Sequence, residues 1–264
     1  MQITWYGTAS IRIDLQELSL LFDPFVPLAE APYSVAVEDF LPAPHIFITH
    51  GHLDHLSSVP SLAQLGAGKV YATATPCATL VKRGVSAEAM QLVKPGNELC
   101  FSGGKDNVFV AIKKGRHIRF DVPLILATLF NRRMIRYAKN AGALLKSNRI
   151  FTENNETVVY EVFHGSTHVT VMGSLALDEN EDYRQGPDLL VIPFQGHSHL
   201  TPIALSVIER LQPRAVLLDH WDDTFPPISR QVDTAPFIEA MSRFYPQIKV
   251  IIPRRGVPEN ITPQ

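Results

Sequence analysis

Apolar positions along the chain fall first into short runs of period two. The pattern alternates from Gln2 to a break at Gly7, resumes over Ser10 to Asp14, and returns over Leu18 to Phe22, which predicts three strands in an antiparallel meander up to Asp23. His45 to Thr49 is a compact apolar run and predicts a further strand, after which Leu56, Val59, Leu62 and Leu65 recur at helical spacing. Val70 to Thr73 predicts the next strand. Thr75 followed by Pro76 marks a helix start reaching about Arg83, because a proline at the first helical position sacrifices no hydrogen bond. Strands over Gln91 to Val93 and Val108 to Lys114 flank the turn Pro95-Gly96-Asn97.

From Phe120 onward the pattern changes. Leu124 to Lys146 is helical, apolar and basic together, so that 120–149 reads as a helical insertion that either packs on the rest of the molecule or covers a substrate. A hairpin over Thr157 to Phe163 and His168 to Met172 comes next. It is followed by strand Leu189 to Phe194, helix Thr201 to Leu211, strand Ala215 to Leu218, helix Thr234 to Phe244 and strand Ile248 to Ile252. Two runs of meander, each followed by alternating helices and strands, predict an α/β (α+β) chain of two similar halves in one domain over 1–264. A doubly wound parallel sheet does not open with so many consecutive strands.

Composition narrows the partners more than the fold. With 264 residues, 45% apolar, 19% charged and a net charge of −2, the chain is ordinary for a globular protein and offers a polyanion little, so nucleic acid is not expected as a partner. The dense basic stretch Arg132 to Lys146 lies inside the helical pattern. Cys77 and Cys100 form no CxxC pair and imply no disulfide framework. No apolar run is long enough for a membrane span, and the N-terminus lacks the basic flank and apolar stretch of a secretory signal. The expectation is a cytoplasmic protein acting on a small molecule, with a homo-oligomer left open.

The chemistry concentrates in Thr49-His50-Gly51-His52-Leu53-Asp54-His55, which sets four metal-ligand types directly after a buried strand. In an extended loop alternate side chains point the same way, so His50 and His52 can meet at one ion while Asp54 and His55 address a second. Gly51 lets the loop turn without a Cβ clash. A surface loop with chance histidines is the bland alternative.

This segment resembles the HxHxDH motif of the metallo-β-lactamase superfamily, and its surroundings resemble the branch containing L-ascorbate-6-phosphate lactonases and phosphodiesterase-like enzymes. Trp5-Tyr6-Gly7-Thr8-Ala9-Ser10 and Asp23-Pro24-Phe25 are similar to the branch's opening strands, with Thr8 where a histidine is usual. The resemblance implies a four-layer αββα sandwich, with Asp23 orienting a histidine ligand from behind. It implies that His117, in Gly115-Arg116-His117, serves the first ion and that His220, in Ala215 to Asp222, serves the second. The family's bridging aspartate has no counterpart: Ser174 stands at its position in Met172 to Asp178, and Asp178 is the other candidate. In Gln195-Gly196-His197-Ser198-His199, the two histidines are placed where the family puts a substrate-facing loop. The implied activity is hydrolysis of an ester, lactone or phosphodiester. An ion with an open position lowers the pKa of its water from ~16 to about 7, and Asp54 would orient the resulting hydroxide. Imidazole and carboxylate donors point to one or two ions of zinc or manganese. A degenerate binding protein holding one metal or none is one alternative. An iron-dependent oxidoreductase is another, although such enzymes of this fold commonly carry a glutamate in the motif and an attached flavin domain, both missing here.

Overall fold

In the computed structural model, which describes residues 1–28 and 30–261, two seven-stranded sheets face each other. In the first sheet β1 (Gln2–Gly7), β2 (Ser10–Leu15) and β3 (Leu18–Phe22) form the predicted antiparallel meander. Next to them β4 (His45–Phe47), β5 (Lys69–Ala72) and β6 (Met90–Leu92) run parallel to β3. The second sheet repeats the plan. Its antiparallel part is β7 (Glu98–Gly103), β8 (Asp106–Lys114), β9 (Val158–His164) and β10 (Thr167–Met172). Its parallel part is β11 (Leu189–Pro193), β12 (Ala215–Asp219) and β13 (Lys249–Ile251). A short β14 (Glu259–Asn260) returns to the edge of β1.

Parallel strands read as unbroken apolar runs because both their faces are covered. Phe47, Val191 and Leu217 point between the sheets, where they meet Phe22, Val110 and Tyr160. Their neighbours in the chain point the other way. Ile46, Ile48 and Val70 pack under α1 (Leu53–Leu56), α2 (Val59–Gln64) and α3 (Ala74–Lys82). Leu190, Ile192 and Leu218 pack under α7 (Leu200–Leu211) and α8 (Ala235–Phe244), on the far side of the other sheet. The result is helix, sheet, sheet, helix. A tie crosses the middle next to the motif: the Tyr160 hydroxyl donates to the Ile48 carbonyl at 2.8 Å, which fixes the end of β4 to the opposite sheet.

Between β8 and β9 lies the insertion, as α4 (Val122–Leu129), α5 (Arg132–Arg136) and α6 (Ala138–Asn148). The predicted single helical stretch breaks at Asn131, whose side chain accepts the Arg133 amide and starts a new helix. Other boundaries also shift. The helix expected over 56–65 divides at Ser57 and Ser58 and restarts with Pro60 in the first turn of α2. Thr73 rather than Thr75 holds the cap position of α3, because the Thr75 amide and hydroxyl are both drawn to the Glu156 carboxylate, each at 2.8 Å. No described helix is long and apolar enough to cross a membrane.

Candidate metal centre

The carboxyl ends of strands from both sheets converge on one place. β4 leads through Ile48 and Thr49 to His50 and His52; His52 sits at the cap position of α1, and Asp54 and His55 lie on that helical turn. From the second sheet His117 follows β8 and His220 follows β12 directly. Gly51 is required by a close approach: a Cβ there would lie 2.1 Å from the Thr152 carbonyl oxygen.

Two groups of donor atoms result. Those of His50, His52 and His117 lie within 4.8 Å of one another, and so do those of Asp54, His55 and His220. In the first triad His50 Nε2 is 3.1 Å from His52 Nδ1, and the His52 and His117 rings are 4.6 Å apart. In the second, Asp54 Oδ2 lies 2.9 Å from His220 Nε2 and 3.6 Å from His55 Nε2. The His50 and His55 rings, one from each triad, are 3.9 Å apart.

Bonds behind the rings decide which nitrogen faces inward. A carbonyl can only accept, so His117 Nδ1–H donates to the Ile118 oxygen at 2.7 Å and Nε2 keeps its lone pair. Likewise His55 Nδ1 lies 2.8 Å from Asp23 Oδ2, leaving Nε2 toward the cluster. Asp23 also accepts the Thr49 amide at 2.8 Å and the Thr49 hydroxyl at 2.5 Å, and that hydroxyl is 3.1 Å from His50 Nδ1. One buried carboxylate thereby supports both triads.

Burial holds His50 well below the ordinary histidine range, with His55, His52 and His117 deepening the effect. Burial also pushes His52 down to about 4 and lowers His117. Three uncharged imidazoles side by side are lone-pair donors of the kind that zinc-like ions take. In the second triad burial acts to raise Asp54, but His55 and His220 outweigh it and hold the carboxyl below its usual range. For His220 burial acts downward, and the Asp54 carboxylate overcomes it and raises the pKa. Both donor sets fit a divalent ion.

Backbone strain gathers here as well. Thr8, Asp23 and His220 adopt left-handed φ values of 50°, 45° and 54°, each costing about 1–3 kcal/mol for a non-glycine residue. The His220 amide donates to the Thr8 carbonyl at 2.8 Å, and the Thr8 amide donates to the Asp222 carboxylate at 3.1 Å. Where a histidine is usual, Thr8 thus supports His220 through its backbone.

Above the triads lies a cavity of about 610 Å³ whose wall includes all six ligand candidates. Leu124, Ile125, Leu129, Met134, Ala141 and Leu144 of the insertion line it, so 120–149 covers the site. His197 is on the wall. His199 is not: it is exposed at the cap position of α7 and its amide donates to His197 Nδ1 at 3.0 Å. Ser174 lines the cavity and accepts the Ile118 amide at 2.9 Å, bracing the backbone beside His117. Asp178 belongs to neither triad nor the wall. Leu177 bridges to Gly115, which carries the Asp178 carboxylate to Lys114 at 3.0 Å.

The sequence did not single out Thr49 or Arg230, and it placed Gln195 only within the 195–199 loop, without its contact to His220. Gln195 Nε2 donates to the His220 carbonyl at 2.8 Å, and its Oε1 accepts the Arg230 amide at 3.4 Å. Its place just past the carboxyl end of β11 was the available signal, the same one that marks His117 and His220.

Facing mixed sheets flanked by helices, with ligand-bearing loops at their carboxyl ends, define the metallo-β-lactamase class of fold. The beta-lactamase superfamily domain matches residues 19–221, and the chain belongs to that superfamily. It is similar to a UPF0173 metal-dependent hydrolase of Methanocaldococcus jannaschii, at 27% identity over 97% of this chain and 98% of the relative. A UPF0173 metal-dependent hydrolase of Methylobacterium nodulans is 28% identical over 97% of this chain and 98% of its own. Among solved structures Igni18, a metallo hydrolase from the archaeon Ignicoccus hospitalis, shares the fold with a TM-score of 0.65 at 17% identity, over 99% of each chain. These matches define the superfamily and not the lactonase branch within it.

Proposed function

We propose that the protein is a metal-dependent hydrolase that cleaves an ester, lactone or phosphodiester bond of a small molecule, with zinc or manganese as its ion. The observation that carries this reading is the pair of donor triads, each within 4.8 Å, set in the wall of one cavity. His50, His52 and His117 would hold one ion, and Asp54, His55 and His220 a second. A divalent ion there supplies Lewis acidity, polarising the scissile oxygen and making water nucleophilic near neutral pH.

The chain's own residues supply orientation. Asp54, kept ionised by His55 and His220, would offer a hydrogen-bond-accepting oxygen that orients the attacking water. Asp23 fixes the His55 ring and Gln195 fixes the His220 backbone, so neither ligand has to reorganise. His197 and Arg230, both on the wall, would bind the part of the substrate that does not react. The insertion lines the cavity over the triads with apolar side chains.

Metal analysis of protein purified without added ions, followed by turnover of p-nitrophenyl esters, lactones and bis(p-nitrophenyl) phosphate with zinc or manganese, tests the reading. Bound ion and hydrolysis of at least one class are expected. No turnover with any ion would leave a binding protein instead, and oxygen consumption with iron would point to an oxidoreductase.

A further inference from the structure

The cavity has a lining that hydrolysis alone does not require. Its ligand wall is polar, but the wall built by α4 and α6 is mostly hydrocarbon, from Leu124, Ile125, Leu129, Ala141 and Leu144, with the one hydroxyl, Thr128, turned back on the Leu124 carbonyl at 2.9 Å. Phe225, Ile228 and Val232, from the segment after β12, add apolar surface of their own. Residues 122–152 contain no aspartate or glutamate. Among the described residues Arg230 is the only lysine or arginine on the wall. A sugar phosphate or nucleotide is usually gripped by several cations or a fork of donors, and apart from ions on the triads this lining offers one cationic side chain. Ile125 and Leu129 keep 43% and 57% of their surface exposed although both border the cavity. Apolar area left open at a cavity marks a surface that a ligand covers.

We propose that the substrate is an amphiphile: a carboxylic ester or lactone whose hydrocarbon chain lies along the insertion while its carbonyl reaches the donor triads. The proposal rests on the hydrolase reading for the reacting group, and on the lining alone for the chain. Arg230 is placed to meet one carbonyl or carboxylate oxygen of the head group. Each methylene taken out of water onto this wall strengthens binding by about fourfold. The gain stops when the chain outgrows the cavity.

Two measurements on the full chain as purified test this. Calorimetric titration with linear carboxylates from butanoate to decanoate is expected to show affinity rising by about fourfold per methylene. Zinc-loaded protein is expected to show the same gradient in kcat/KM across p-nitrophenyl esters from acetate to decanoate. Ile125→Asn and Leu129→Asn should flatten both gradients. Both side chains are half exposed, so the variants should keep their thermal midpoints, which are measured alongside. A flat binding series in the unaltered protein overturns the proposal, as does a gradient that both variants preserve. Binding that rises with chain length, with no ester turned over, would sink the hydrolase reading and leave the hydrocarbon site standing. Turnover independent of chain length would do the reverse.

Discussion

The two triads start from one loop and end up electrically different. His50, His52 and His117 bring together three imidazoles that burial keeps uncharged. Asp54, His55 and His220 include a carboxylate that its histidine neighbours keep ionised. The first set offers an ion lone pairs alone, whereas the second offers charge and depends on Asp23 to aim His55. Ser174, occupied with the Ile118 amide, leaves the pair without a shared carboxylate. Two cations 4 Å or so apart repel strongly in a poorly solvated site, so filling one triad should oppose filling the other.

Removing the second sheet's contribution to the first triad should have the largest effect. His117→Ala is expected to lower kcat by about a thousandfold or more and to remove bound ion. Unchanged metal content in that variant would break the contrast, since the ion would then sit entirely on the other triad. Next, Asp23→Asn should weaken ion binding at the second triad by about 10- to 100-fold, read by competition with a coloured chelator. Equal weakening at both triads would show that the relay from Asp23 through Thr49 to His50 matters as much as the direct contact with His55. A smaller gain is expected from Ser174→Asp, which supplies negative charge to both ions: about tenfold tighter binding of the second equivalent, a change of about 1.4 kcal/mol. A stoichiometry and affinity identical to those of the parent would count against the missing carboxylate as the limiting feature.

The least effect concerns pH. His52 and His168 are each pushed down to about 4 by burial in the folded chain, against about 6.5 in an unfolded one. The unfolded chain therefore binds more protons between these values. Stability contributed by the two groups is complete above about pH 6.5 and declines as the pH falls toward about 4. Thermal midpoints of the chelator-treated protein across that window should fall, and fall less steeply in His52→Gln. A profile indifferent to the substitution would mean that the first triad does not carry the acid sensitivity.

Much of this was legible beforehand, and the exceptions share a cause. The meander, the parallel strands and the flanking helices all follow from alternation and helical spacing, which neighbouring residues encode. β7 is harder to read because it is an edge strand in which no residue before Gly103 is fully buried, so it lacks the compact apolar run of its neighbours. The 50–55 motif is local and could be read directly. His117 and His220 needed the expected order of strand ends. Asp178 and His199 have the right chemistry at plausible spacing, yet their backbones are led elsewhere by the Leu177 bridge to Gly115 and by the start of α7.

By itself the sequence determined the donor types, the strand and helix periods, and the chain order in which ligands follow strands, because each of these is carried by residues close in the chain. Only the tertiary structure decided that one carboxylate, Asp23, supports both triads, that Ser174 braces the backbone beside His117, and that the insertion lines the cavity over the site with apolar side chains. Those outcomes depend on the paths of loops, and a loop's path is set by contacts with residues far away in the chain, to which local periodicity is blind.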